Sequence, residues 1–163
     1  MEHLQIRMAT MDDLEEIASV EEECFPSAEA ASKKEFAERI KAYGTHFWLM
    51  CEDDKIIAFV DGMVTDEKNL TDAMYEKADL HNEQGAWQMI FGVNTLPEYR
   101  RNGYAEKLLR YAINDARAQD REGPVLTCKD KLVHYYEKFG FQKEGVSESV
   151  HGGVTWYQMR LTF

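Results

Sequence analysis

The residues in this chain best placed to do chemistry are Arg100-Arg101-Asn102-Gly103-Tyr104-Ala105. They follow an apolar run, Trp87-Gln88-Met89-Ile90-Phe91-Gly92-Val93, that reads as a buried strand. Asn94-Thr95-Leu96-Pro97-Glu98-Tyr99 leads out of it, and Pro97 cannot donate to a ladder. After the glycine, Leu108, Leu109, Ala112 and Ile113 keep helical spacing. A strand, a basic glycine loop and a helix together aim free backbone N–H groups and the positive end of a helix dipole at an anion. Gly103 permits close approach of the backbone, and Arg100 and Arg101 add charge-assisted contacts. Read in isolation, the same residues also describe a helix N-terminus carrying two solvated arginines.

The elements that must hold this loop can be read in order. Leu4–Met8 alternates as a short strand, and Thr10 can cap a helix with Leu14, Ile17, Ala18 and Val20 inward, running to about Glu23. Ser32 can cap a second, with Phe36, Ile40 and Tyr43 on one face, ending at Gly44. His46–Cys51 and Ile56–Val64 read as two strands joined by a turn over 52–55, and 71–79 as a short helix. The long helix after the loop reaches about Ala118. Val125–Cys128 reads as a short buried strand, and Leu132, Val133, Tyr136 and Phe139 share a helical stripe closed by Gly140. Phe141–Val150 and Val154–Leu161 flank His151-Gly152-Gly153 as a hairpin. The sum is an α/β (α+β) chain whose mixed sheet carries helices on both faces, read as one domain over residues 1–163.

Composition narrows the function. No apolar run reaches the roughly 18 residues of a membrane span, and Met1-Glu2-His3 lacks the start of a signal peptide, so a cytoplasmic location and no membrane partner are expected. Cys24, Cys51 and Cys128 are widely spaced in apolar contexts. They read as reduced thiols with no metal-ligand spacing. The net charge is −11, and residues 1–80 carry 20 acids against 8 bases while residues 81–163 carry 10 against 11. Such a chain is a poor nucleic-acid binder. Its second half suits an anionic ligand, and its acidic first half can attract a cation.

The spacing Arg-x-x-Gly-x-Ala at 100–105 resembles the pyrophosphate loop of the GNAT superfamily of acyl-CoA-dependent N-acyltransferases, and the order of elements matches that fold over nearly the whole chain. Leu132–Phe141 resembles the family's Tyr-x-x-x-Gly-Phe segment. Asp66–Leu70, Leu80-His81, Gly85 and Gly153–Trp156 resemble the arylalkylamine (serotonin) N-acetyltransferase branch. The resemblance implies a mostly antiparallel twisted sheet of about seven strands, splayed between the fourth and fifth. Acetyl-CoA is the implied co-substrate, with no metal. Its pantetheine arm would lie in the splay against Val93, Asn94 and Thr95, and residues Arg100, Arg101, Asn102, Gly103, Tyr104 and Ala105 would wrap its pyrophosphate.

Tyr136 is the implied catalytic acid, donating a proton to the departing CoA thiolate. Tyr135 is its register alternative, about 100° away on the helix. The arylalkylamine branch carries two histidines on the central strand that relay the amine proton; here Met89 and Phe91 stand at those positions, and neither accepts a proton. His81, Glu83, Glu22, Glu23 and Asp61 are the replacement candidates, while His134 falls on a different helix face from Tyr136. Phe25, Pro26, Trp87, Met89 and Phe91 are expected to line an apolar acceptor pocket suited to a small aryl- or alkylamine. The alternatives are acetylation of a peptide or protein amine, and a catalytically silent acyl-CoA-binding module. Many relatives of this kind are dimers; no stretch here specifies an interface, so a homodimer stays open.

Overall fold

The computed structural model describes residues 3–163; Met1 and Glu2, part of the N-terminal reading above, lie outside the described residues. In chain order the elements are β1 (Leu4–Met8), α1 (Leu14–Cys24), α2 (Lys33–Tyr43), β2 (Phe47–Glu52), β3 (Lys55–Asp61), β4 (Val64–Thr65), α3 (Asp72–Glu76), β5 (Trp87–Ile90), β6 (Gly92–Thr95), α4 (Tyr104–Ala118), β7 (Gly123–Cys128), α5 (Val133–Glu137), β8 (Gln142–Val146) and β9 (Tyr157–Arg160). One sheet runs β1-β2-β3-β6 and the other β4-β5-β7-β9-β8. All pairs are antiparallel except β5 with β7.

Local signals in the sequence account for the helices. Ser32 and Glu35 form a reciprocal capping box: Ser32 Oγ accepts from Glu35 N at 3.1 Å, and Glu35 Oε1 accepts from Ser32 N at 2.9 Å. Ahead of α1, Asp13 accepts from Thr10 N and from both terminal nitrogens of Arg7. The strands in the middle are apolar on both faces because helices cover both. Phe47, Leu49 and Cys51 of β2 pack with Ile17, Val20, Phe36 and Ile40 of α1 and α2. Trp48 and Met50 point the other way, onto Leu108, Leu109 and Ala112 of α4, and Trp48 Nε1 donates to Asp115 at 2.9 Å.

Two expected strands are broken, and the breaks coincide. The run 56–64 ends as β3 at Asp61 and resumes as β4 at Val64; the run 87–93 stops at Ile90 and resumes at Gly92. Asp61 opposes Gly92 in one sheet, and Val64 opposes Gln88 in the other. Between them Phe91 N donates to Asp61 O at 2.7 Å and Met89 N to Met63 O at 2.8 Å, so the ladder bends without being lost. Gly62 makes the bend possible, because a Cβ there would lie 1.8 Å from Met89 O.

The C-terminal hairpin also differs from the sequence reading. Its paired strands are shorter, from Gln142↔Arg160 to Val146↔Tyr157, and residues 147–156 form a long connection with a tight turn at His151–Gly153. Asp72 of α3 captures this connection by accepting from Val150 N, and within it Trp156 Nε1 donates to His151 O. Those contacts, together with Gly152 and Gly153 at φ 66° and 72°, replace the ladder.

Replacing Gly62 by Ala is expected to destabilise the protein by about 3 kcal/mol, a fall in Tm of roughly 6–12 °C by differential scanning calorimetry. An unchanged Tm would show that the bend does not depend on that close approach.

Candidate active site

β5 pairs with β7 only from Trp87↔Gly123 to Ile90↔Leu126. Beyond Phe91 the chain turns to β3, while Thr127 and Cys128 continue along β9. A cleft of about 850 Å³ opens where they part. Gly92 and Val93 form one wall, Leu126, Thr127 and Cys128 the other, and Tyr136 of α5 stands behind. The splay expected between the fourth and fifth strands is present.

The basic loop lies at one end of β6. After a 3-10 turn at Pro97–Tyr99, Arg100 is extended, Arg101 adopts φ 65° and Gly103, the N-cap of α4, adopts φ 76°. Asn102 Nδ2 folds the loop by donating to Tyr99 O and Arg100 O. The first turn of α4 faces a second cavity of about 480 Å³, lined by Thr95, Arg100, Arg101, Gly103, Tyr104 and Ala105, with Tyr135 and Lys138 opposite. Glu106 also lies there, but Lys138 at 2.6 Å and Arg110 at 3.3 Å neutralise it and hold its carboxyl below the usual range. Three cations and a helix N-terminus therefore face this cavity, which suits a phosphate chain. Of the expected backbone contacts, Val93 lines the cleft, Asn94 is buried, and Thr95 O already accepts from Arg100 Nε at 3.0 Å and Cys24 Sγ at 3.3 Å.

Tyr136 is 7% exposed, with Phe141 edge-on at 6.1 Å. Burial, with Cys128 nearby, raises its phenol well above the ordinary value, so it keeps its proton at neutral pH. Tyr135 belongs to the other cavity and His134 points to solvent. The expected acceptor residues divide. Phe25 and Phe91 line the cleft. Met89 is core, Trp87 packs under Arg160 with its ring 4.5 Å from the guanidinium carbon, and Pro26 is exposed. The bend at Phe91 is the reason: Trp87 and Met89 face the core, whereas Ile90, Phe91, Gly92 and Val93 line the cleft.

Among the suggested bases, Glu22 and Glu23 are exposed. His81 and Glu83 lie off the cleft, at the far end of β5. His81 Nδ1 accepts from Val64 N at 3.0 Å, and Glu83 meets His81 Nε2, His46 Nε2 and Arg121 at 2.9 to 3.1 Å. His46, His81 and Glu83 have ligand atoms within 4.8 Å of one another. However, an acceptor role for Nδ1 leaves the neutral His81 ring with its proton on Nε2, the atom a metal would need.

Asp61 does reach the cleft, with two residues that the sequence reading passed over. Asp61 (1% exposed) meets Arg39 (3% exposed) at 3.2 Å, and the guanidinium also donates to Tyr75 O at 3.0 Å and lies over Phe91 at 5.1 Å. Glu21 lines the same cleft, and its Oε2 accepts from Ala31 N at 2.9 Å. One guanidinium thus faces two buried carboxyls. Burial and Asp61 push Glu21 up to about 7; burial pushes Asp61 up to about 6, opposed by Arg39. The clue was available: Glu21 sits four residues after Ile17, on the buried stripe of α1, and an inward acid requires a partner. Tyr75, stacked on His151 at 5.3 Å and tilted on Phe91 at 4.6 Å, completes the wall.

Comparison with known proteins agrees with this geometry. The model of the Acetyltransferase (GNAT) family matches residues 11–141. Serotonin N-acetyltransferase of Mesocricetus auratus is 27% identical over 167 residues, which cover 97% of this chain and 77% of that protein. The loading GNATL domain of CurA from Lyngbya majuscula superposes with a TM-score of 0.83 at 17% identity, covering 98% of this chain and 97% of its own. Arabidopsis thaliana Naa50, in complex with the bisubstrate analogue CoA-Ac-MVNAL, gives 0.76 at 17% identity and covers 99% of both chains. At these identities the two structures speak for the fold alone. A cleft between parted strands, an anion-binding loop at its end and a family match across most of the chain lead to one conclusion: the protein belongs to the GNAT acetyltransferase family and is an acetyl-CoA-dependent N-acyltransferase.

Proposed function

We propose that the acceptor is a small primary amine and that transfer occurs by direct attack, with Tyr136 as the acid. The observation that carries this reading is the bridged rim of the cleft. His151 Nε2 meets Glu29 O at 2.8 Å and Lys129 pairs with Glu29 at 3.0 Å, so the β8–β9 and β7–α5 connections are both tied to the α1–α2 connection beside Tyr75 and Phe91. A joined rim favours a compact amine over an extended peptide laid across it. Phe25, Tyr75, Phe91 and Trp156 supply apolar contact, and Glu21, Glu35 and Asp61 favour a cation.

On this reading Arg100, Arg101 and the N–H groups of the first turn of α4 hold the pyrophosphate, and the edge of β6 over Val93–Thr95 that faces away from β3, with Thr95 O already held by Arg100 Nε, receives the pantetheine arm as an extra strand. The thioester then lies in the splay beside Tyr136. The amine lone pair attacks the carbonyl carbon, the C–S bond breaks, and Tyr136 delivers its proton to the sulfur. The likeness to serotonin N-acetyltransferase, an enzyme named for its amine acceptor, supports the choice of acceptor.

A thiol-release assay with acetyl-CoA and a panel of arylalkylamines and short peptides tests the reading, with turnover expected on the amines; turnover confined to peptides would overturn it. Tyr136→Phe is expected to lower kcat about 100-fold while leaving the Kd for CoA within about twofold, as read by calorimetry. The double change of Arg100 and Arg101 to Ala is expected to weaken CoA binding about tenfold at low salt and to flatten its salt dependence. Intact binding would place the pyrophosphate elsewhere.

A further inference from the structure

We infer that Glu21 is the proton acceptor for the incoming ammonium, reached through a notch that Gly92 leaves in the wall of the cleft. The inference rests on the amine reading above, and it supplies the base that Met89 and Phe91 cannot provide. A Cβ on Gly92 would lie 3.3 Å from Asp61 Oδ1 and 3.8 Å from Glu21 Oε1. The side chain that is missing at the bend therefore exposes both carboxyls to the place where β6 turns past Tyr136. Asn94, 1% exposed, directs its amide to the same notch: its Nδ2 is 3.0 Å from that Cβ position, and the amide favours the charged form of Glu21.

The two acids are not equivalent. Asp61 is bound to Arg39 and answers its charge, which makes Asp61 a positioning residue. Glu21 spends one oxygen, Oε2, on Ala31 N and leaves Oε1 directed to the notch. The charged and titratable groups acting on it are Asp61 from β3, Arg39 from α2 and Cys24 from its own helix; Glu35 from α2, Tyr75 from α3 and Glu29 from the α1–α2 connection line the same cleft. With a single guanidinium among them, the second carboxyl binds a proton in the neutral range.

The proton balance closes. An alkylammonium gives one proton to the Glu21 carboxylate, and the freed lone pair forms the N–C bond. The C–S bond breaks and sulfur takes the Tyr136 proton. The nitrogen's second proton returns to the tyrosinate, and Glu21 releases its own to solvent. The sum is amide, free thiol and one proton.

Glu21→Gln tests the assignment because the amide oxygen can still accept from Ala31 N. The probes are 2-phenylethylamine, an ammonium at neutral pH, and its 2,2-difluoro analogue, similar in shape but far more acidic as the ammonium. In the wild type, kcat/KM for 2-phenylethylamine should fall as pH drops through about 7. In Glu21→Gln that limb should vanish and the rate fall about 100-fold, while the difluoro analogue loses less than about tenfold. Equal losses on both amines would mean a structural role and would overturn the assignment, as would an unchanged rate. Gly92→Ala, which leaves the carboxyl in place but narrows the notch, should also slow 2-phenylethylamine more than its analogue, and the reverse order would count against the route. A wild type inactive on both amines would overturn the amine reading and this assignment with it. An active wild type with an unaffected Glu21→Gln would remove the assignment alone.

Discussion

The whole site depends on a competition for backbone partners. The run from Trp87 to Thr95 lies between β3 and β7, and the twist of the sheet does not let it pair with both throughout. Pairing with β7 holds up to Ile90, and pairing with β3 takes over at Gly92. The changeover falls at Phe91, whose N–H goes to Asp61 O, so the central strand stays in register while its edge toward β7 is released. Free backbone groups facing a cleft are costly unless something pairs with them. A thioester carrier with amide groups along its arm is a suitable partner.

The cleft is also electrostatically divided. At the loop end, Arg100, Arg101 and Lys138 meet the N-terminus of a 15-residue helix. At the acceptor end, Glu21, Asp61 and Glu35 outnumber Arg39. Such a division suits an anionic donor at one end of the gap and a cationic acceptor at the other. The lopsided charge of the two chain halves is the one-dimensional trace of this arrangement.

What the sequence revealed follows from what is local. The loop Arg100–Ala105, the stripe of α4 and the segment around Tyr136 are patterns within a few residues, and they stand where expected. The break at Phe91 was not legible, because an apolar run reads the same whether one sheet or two receive it; only Gly92 in its midst hinted at the change. Assigning Trp87 and Met89 to the acceptor wall failed for that reason. Glu21 and Arg39 were hidden differently. Each is a charged residue on an apolar stripe, and only the packing of α1 and α2 over β3 brings them to Asp61. The connection over 147–156 was misread as strand because its anchors, Asp72 and Glu29, are about 80 and 120 residues away in the chain.

The position of Glu21 has a thermodynamic side. A carboxyl raised from 4.5 to about 7 by burial binds its proton more tightly in the folded chain than in the unfolded one. Its contribution is complete below about 4.5 and is lost as pH rises through about 7, a change of order 3 kcal/mol. Ionising this carboxyl therefore costs the fold stability, in the pH range where the proposed base would carry its charge. A bound cation next to that carboxylate would restore the deficit, linking occupancy of the cleft to the resistance of α1 and α2 to unfolding.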